Sequence, residues 1–149
     1  MSETTNSLPA KLQEIVDEFE WAEGRDKLEL LLDYAAQMPP LPEWLAGQHD
    51  SMEQVHECMS PVFVHAELVD GRLQWYFDVP PESPTVRGYA ALMAAGLSGA
   101  TPDEVLSVPA DFWQATGLQE VVTYQRIRGI AAILAHMKRL ALEAEQSAA

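Results

Sequence analysis

Apolar and polar residues alternate along this chain in a way that predicts helices interrupted by one β-hairpin. Apolar residues recur at helical spacing over residues 8–21, 85–97 and 124–144, and over a second helix that Asp26 caps and Pro39 ends. Residues 61–68 and 73–79 instead alternate between two faces, as strands do. Asp70 and Gly71 stand at the centre of the turn between them, which is the signal of a tight hairpin. The pattern therefore predicts a helical hairpin, then a β-hairpin, then further helices.

Finer signals mark the ends of these elements. Ser7 and Thr123 are candidate caps for the first and last helices, with Pro9 in the first turn. Residues 101–104, Thr-Pro-Asp-Glu, form a capping box that should open a short helix to about residue 108. A further short helical piece is predicted within residues 109–117. A short strand is predicted over residues 52–57, after a proline-rich loop over residues 38–50.

Composition narrows the class of protein. The 149 residues fit one domain, expected over residues 1–149 with frayed ends at about 1–7 and 145–149. The formal charge of −14 disfavours binding to nucleic acid and to anionic membranes. We find no apolar run long enough to span a membrane and no signal peptide, so we expect a cytoplasmic location. One cysteine cannot form an internal disulfide.

That cysteine, Cys58, is the strongest candidate for chemistry. A lone cysteine is often a small buried hydrophobe, and the spacing alone leaves this alternative open. Three of the four histidines lie within nine residues of it, at positions 49, 56 and 65. His56 would share a strand face with Cys58 and could tune the thiol. Zinc binding lacks the usual ligand pairs, and one cysteine does not suit an iron–sulfur cluster held by this chain alone, so we expect no resident metal or cofactor.

The start of the last helix carries a second candidate. Arg126 lies in the first turn, where a cation opposes the helix dipole and usually has an anionic partner. That partner is either one of the many acids or the sulfur of Cys58. Gly129, inside the helix at a cost of about 1 kcal/mol, indicates close approach of another backbone. Serine-hydrolase, phosphate-loop and dinucleotide motifs are absent from the sequence.

Several segments, taken in order, resemble the SufE-type sulfur-acceptor family. Residues 58–63, Cys-Met-Ser-Pro-Val-Phe, are similar to the family's cysteine motif. Residues 77–88 resemble the segment that carries an acid before Lys/Arg-Gly, and residues 126–129 resemble the Arg-x-x-Gly of the last helix. The capping box and the Phe-Trp pair at 112–113 follow in family order. The resemblance covers nearly the whole chain.

The resemblance implies an α+β fold, a small antiparallel sheet of about three strands flanked by helices, similar to SufE and IscU proteins. It implies that Cys58 accepts persulfide sulfur from a pyridoxal-phosphate cysteine desulfurase of the SufS type. The sulfur would pass to an iron–sulfur scaffold of the SufBCD type. The family's acid and arginine carry over to Glu82 and Arg126. A mobile cysteine loop is expected, with Met59 and Phe63 as an apolar cover.

Two other functions remain open from the residues. The chain could be a non-catalytic scaffold or regulatory module that binds a desulfurase through its acidic surface. It could also be a cysteine hydrolase, which needs a base and an oxyanion hole. Under the sulfur-acceptor hypothesis it is a sulfur-transfer partner without independent turnover, and both a monomer and a homodimer remain open.

Overall fold

The structure is a computed structural model that describes residues 8–148. Five α-helices, three strands and three short 3-10 helices follow one another along this part of the chain. The α-helices are α1 (Ala10–Trp21), α2 (Arg25–Ala36), α3 (Pro84–Leu97), α4 (Pro102–Leu106) and α5 (Tyr124–Ala148). The strands are β1 (Glu53–Gln54), β2 (Phe63–Val69) and β3 (Arg72–Asp78), and the 3-10 helices are His49–Ser51, Phe112–Thr116 and Leu118–Glu120.

The three strands form one antiparallel sheet in the order β1-β2-β3. Val64 pairs with Phe77, and Ala66 pairs with Trp75, so the apolar residues of both strands share the face that meets the core. Asp70 and Gly71 both have positive φ, at 53° and 80°, as the tightest hairpin turn requires. The α+β fold and the predicted hairpin are confirmed.

The helical hairpin begins differently from the prediction. The cap that Ser7 was expected to form lies outside the described residues, and Pro9 precedes α1 rather than opening its first turn. Gly24 adopts a positive φ of 52° and turns the chain sharply, so α2 begins at Arg25. Asp26 is therefore not the cap, although its charge in the first turn still favours the helix dipole.

Helix α3 lies at the centre of the fold and packs against α1, α2, β3 and α5. Helix α3 can approach α2 closely because residue 88 is a glycine. An ideal Cβ at this position would lie 2.2 Å from the backbone oxygen of Leu31. Helix α5 covers β2 and α4, and buries Ile130, Leu134 and Met137 as its apolar stripe predicts. This packing brings the first half of α5 alongside the segment that joins β1 to β2.

The remaining elements follow the sequence closely. Thr101 and Glu104 form the predicted capping box, with the Thr101 N–H donating to the Glu104 carboxylate at 2.8 Å. Phe112 is buried within the expected short helical piece. Helix α5 continues to Ala148, beyond the predicted end at residue 144.

Candidate functional site

Cys58 lies in a short loop, residues 56–61, which we call the cysteine loop. A hydrogen bond from the Val55 N–H to the Val62 oxygen, at 2.8 Å, closes the base of the loop. Both valines are completely buried. Between them the chain forms turns and bends rather than a strand. The base of the loop is therefore fixed in the core, whereas its tip is not part of the sheet.

The thiol rests against Gly129 of α5. An ideal Cβ on Gly129 would lie 2.8 Å from Cys58 Sγ and 3.1 Å from Cys58 Cα. Any side chain at this position would occupy the space of the thiol. The predicted close approach at Gly129 is confirmed, and the segment that approaches is the cysteine itself.

The resting thiol is partly buried and is held in its protonated form. Burial, and to a lesser extent the charge of Glu57, raises the pKa of the Cys58 thiol to about 11. Because the thiolate is the nucleophile, this position lowers the reactivity of Cys58 at neutral pH as long as the loop stays closed. Movement of the loop into water, away from this environment, would remove most of the effect.

The segment that leads into α3 connects the cysteine loop to α5. Ser60 of the loop forms a hydrogen bond with the hydroxyl of Ser83, which is buried. Two residues further on, Thr85 Oγ1 accepts a hydrogen bond of 3.1 Å from Arg126 Nη1. Three segments that are distant in sequence thus meet around Cys58.

Arg126 and Glu82 are the predicted partners of Cys58, and the structure places them differently from that prediction. The Arg126 guanidinium donates to Thr85, and within residues 8–148 it forms no ion pair with Glu82 and no hydrogen bond with the thiol. Glu82 is exposed, one residue before Ser83. Arg126 and Glu82 therefore lie on segments that border the site, but they do not pair with each other. Their roles stay predictions.

His56 does not lie where the sequence placed it. Strand β1 ends at Gln54, so the two-residue alternation that would align His56 with Cys58 does not apply. His56 is exposed in the turn and lines a surface depression together with His136 and Arg139. The geometric reason for expecting it to tune the thiol was wrong.

The expected apolar cover is also different. The side chain of Met59 is 83% exposed, and the ring of Phe63 stacks on that of His49 with centroids 3.8 Å apart. Phe63 follows Val62 and precedes Val64, both of which face the core, so it projects from the other face of the sheet. The thiol is sheltered by α5 at Gly129 instead of by Met59.

A charged cluster beside the cysteine loop was not predicted from the sequence. His136 Nε2 lies 2.9 Å from Oε1 of Glu57, the residue that precedes Cys58 in the chain. The other ring nitrogen, Nδ1, faces Glu53. Arg139 Nε donates to the same Glu53 at 3.1 Å. The side chains of Glu53 and His136 are 10% and 18% exposed, whereas that of Glu57 is 49% exposed.

The cluster lowers the pKa values of both glutamates. Burial opposes ionisation of Glu53, but the hydrogen bonds from Arg139 and His136 outweigh it and hold its pKa below the ordinary value. The hydrogen bond from His136 is the main reason that the pKa of Glu57 is lowered. Both carboxylates are therefore ionised at neutral pH.

Residues 8–148 hold no candidate metal centre and no candidate membrane-spanning helix. The part of the chain that the structure describes contains no group of three or more His, Cys, Asp or Glu side chains arranged to hold a metal ion. Among the same residues, no helix combines the length and the apolar character needed to cross a bilayer.

The fold and the site define a small α+β protein that keeps one thiol closed against a helix glycine. Residues 13–141 match the family model described as "SufE: Fe-S metabolism associated domain". A SufE-like protein of Mycobacterium tuberculosis is 44% identical over 140 residues, covering 93% of this chain and 96% of that protein. A SufE-like protein of Synechocystis is 33% identical, covering 91% of this chain and 83% of its own length.

A solved structure agrees with these sequence matches. The solution structure of a hypothetical protein from Thermus thermophilus superposes with a TM-score of 0.82 at 38% identity, covering 93% of this chain and 98% of that one. The chain therefore belongs to the SufE family, and its domain is of the type associated with iron–sulfur metabolism.

Proposed function

We propose that this protein accepts sulfane sulfur on Cys58 from the persulfide of a pyridoxal-phosphate cysteine desulfurase of the SufS type. It then passes the sulfur to an iron–sulfur scaffold of the SufBCD type. Membership of the SufE family supports this role, as does the printed name of a relative from Plasmodium vivax, "Cysteine desulfuration protein SufE", which is 31% identical over 104 residues. The observation that carries the proposal is the single thiol on a loop with a fixed base, closed against Gly129.

The transfer step conserves atoms and electrons. The Cys58 thiolate attacks the terminal sulfur of the donor persulfide, and a new S–S bond forms on Cys58 as the donor S–S bond breaks. The donor cysteine leaves as a thiolate, and no external oxidant or reductant takes part. The Cys58 persulfide then donates its terminal sulfur to the next acceptor in the same kind of exchange.

The closed loop suits a carrier whose thiol becomes reactive only when its donor docks. With the pKa of its thiol raised to about 11, the closed Cys58 attacks electrophiles only slowly at neutral pH. Opening of the loop on the donor returns the thiol to water and raises its thiolate fraction. The exposed Met59, next to Cys58, provides an apolar first contact for that partner.

The same geometry argues against a cysteine hydrolase. An activated hydrolase nucleophile has a lowered pKa and a base at hydrogen-bond distance. Here the thiol pKa is raised, and within residues 8–148 no histidine or carboxylate side chain forms a hydrogen bond with Cys58 Sγ. This arrangement keeps the thiol protonated instead of activating it as a nucleophile.

Intact-mass spectrometry tests the proposal directly. After incubation with a cognate desulfurase and cysteine, the protein should gain about 32 Da, one sulfur, and peptide mapping should place it on Cys58. Cys58→Ser should gain nothing and should no longer stimulate the desulfurase, while its fold is unchanged. Full stimulation by Cys58→Ser would instead support the regulatory-module alternative and refute the acceptor role.

A further inference from the structure

The bond between His136 and Glu57 is the direct link between α5 and the residue that precedes Cys58. Glu57 and Cys58 are neighbours in the cysteine loop, so a constraint on the Glu57 side chain restrains the thiol as well. His136 lies 79 residues from Glu57 in sequence, on a helix that is anchored in the core. The bond therefore joins a movable segment to a rigid one.

The surroundings of His136 fix the direction of its ring. Nδ1 faces Glu53, and Glu53 is itself held by Arg139 from the next turn of α5. A hydrogen bond at one ring nitrogen sets the orientation and the proton of the other. Both ring nitrogens of His136 face carboxylate oxygens, so the ring is held at two points. His136 thus presents Nε2 to the loop from a fixed position.

The two bonds of His136 differ in how easily they break. The Glu53 carboxylate is nearly buried, and it makes bonds to both His136 and Arg139. Glu57 is half exposed, and His136 Nε2 is its one side-chain partner in the described residues. Opening of the loop would therefore break the bond to Glu57 and leave the Glu53 side intact.

We propose that His136 is a positioning residue that fastens the cysteine loop in its closed state, and that release of Glu57 from His136 allows the thiol to leave Gly129. The role of this release in sulfur transfer rests on the proposed function, whereas the fastening itself is a property of the isolated protein. His136 touches no reacting atom and acts only through Glu57.

Two substitutions of the same residue separate the fastening from general support of the helix. The amide of His136→Gln reaches about as far as Nε2, so it keeps a donor toward Glu57. The amide of His136→Asn reaches only as far as Nδ1, so it keeps the contact with Glu53 and loses the hydrogen bond with Glu57. Glu143→Gln, which alters the exposed Arg139–Glu143 pair on the same helix, serves as the control.

The readout is the rate at which iodoacetamide alkylates Cys58 in the isolated protein, with no desulfurase present. We expect His136→Asn to increase the rate about two- to fivefold, the effect of losing one half-exposed His–Glu contact on a closed–open equilibrium. His136→Gln and Glu143→Gln should stay close to the wild-type rate. Equal acceleration by the Asn and Gln variants, or none by the Asn variant, would overturn the proposal.

A double-mutant cycle keeps the test decisive if His136→Asn folds poorly or if charge alone alters the thiol. Glu57→Ala and Glu57→Gln both remove a negative charge beside Cys58 at an exposed position, but Gln keeps an amide oxygen that can accept from His136. If His136 holds Glu57, Glu57→Ala should accelerate alkylation more than Glu57→Gln, and this difference should shrink in the His136→Asn background, where the donor toward Glu57 is absent. Equal acceleration by the two Glu57 variants in the wild-type background would contradict the inference, and so would strict additivity. Because no persulfide is formed in these assays, failure of the sulfur-acceptor role would leave their outcome unchanged.

Discussion

Gly129→Ala should open the cysteine loop without unfolding the protein. The added methyl group would lie 2.8 Å from Cys58 Sγ and 3.1 Å from Cys58 Cα, well inside an ordinary contact of about 3.5–4 Å. Helix α5 is packed into the core around this position, with Ile130 and Ile133 completely buried. The cysteine loop is therefore the side of the contact that moves.

The size of the effect follows from the thiol pKa. In the closed loop this pKa is about 11, against an ordinary value of 9.0, and each unit corresponds to a factor of ten in thiolate at neutral pH. Complete opening would thus increase the alkylation rate of Cys58 up to about 100-fold through thiolate alone. The alanine also favours the helix by about 1 kcal/mol, which offsets the lost contacts of the thiol. We expect the free energy of unfolding to change by no more than about 1 kcal/mol.

The assay combines thiol alkylation with thermal unfolding. Gly96→Ala in α3 is the matched control, since its added methyl group would meet a side chain of Leu12 at 2.5 Å and does not approach the thiol. The control should lower the melting temperature and leave the alkylation rate near that of the wild type. A Gly129→Ala protein with wild-type melting and a wild-type alkylation rate would refute the reasoning, because the contact would then not control the thiol.

Two further predictions follow, one from the thiol pKa and one from the packing of α2 against α3. In the wild type the alkylation rate should keep rising with pH to about 11, whereas in Gly129→Ala it should level off near 9; coincident profiles would mean that burial does not set the thiol pKa. Gly88→Ala should destabilise the fold by about 3 kcal/mol or more in denaturant unfolding, because its methyl group would lie 2.2 Å from a backbone oxygen that cannot move aside. Unfolding at wild-type denaturant concentration would show that α2 and α3 separate more easily than their packing indicates.

The sequence predicted the scaffold well because its signals are local. Alternation set the strands, and the Asp70-Gly71 pair set the turn that aligns Val64 with Phe77. Gly129 carried information about a long-range contact, since a glycine inside an apolar helix has a cost that close packing can justify. The sequence did not identify the partner of that contact, which the structure shows to be Cys58, because a glycine in a helix does not indicate which segment approaches it.

The surroundings of the thiol were harder to predict for a physical reason. Short strands have weak sequence patterns, so the strand predicted over residues 52–57 was too long. The alternation that was expected to align His56 with Cys58 ends at Gln54. His136 was overlooked because it is far from Cys58 in sequence and flanks the apolar stripe. Its position beside Glu57 depends on how α5 crosses the sheet, which no local pattern encodes.

The arrangement of contacts favours opening of the loop by a partner over opening by unfolding. Val55 and Val62 fix the base in the core, while the tip is held by the Ser60–Ser83 bond, the Glu57–His136 bond and the contact of the thiol with Gly129. Each of the two hydrogen bonds contributes about 0.5–1.5 kcal/mol, so breaking both would cost about 1–3 kcal/mol while the core stays folded. The raised thiol pKa keeps the closed state favoured below pH 9, and this preference is lost as the pH rises toward 11. At neutral pH a docking surface would need to supply only this small free energy, so under the proposed function the reactivity of Cys58 would depend on docking of its sulfur donor.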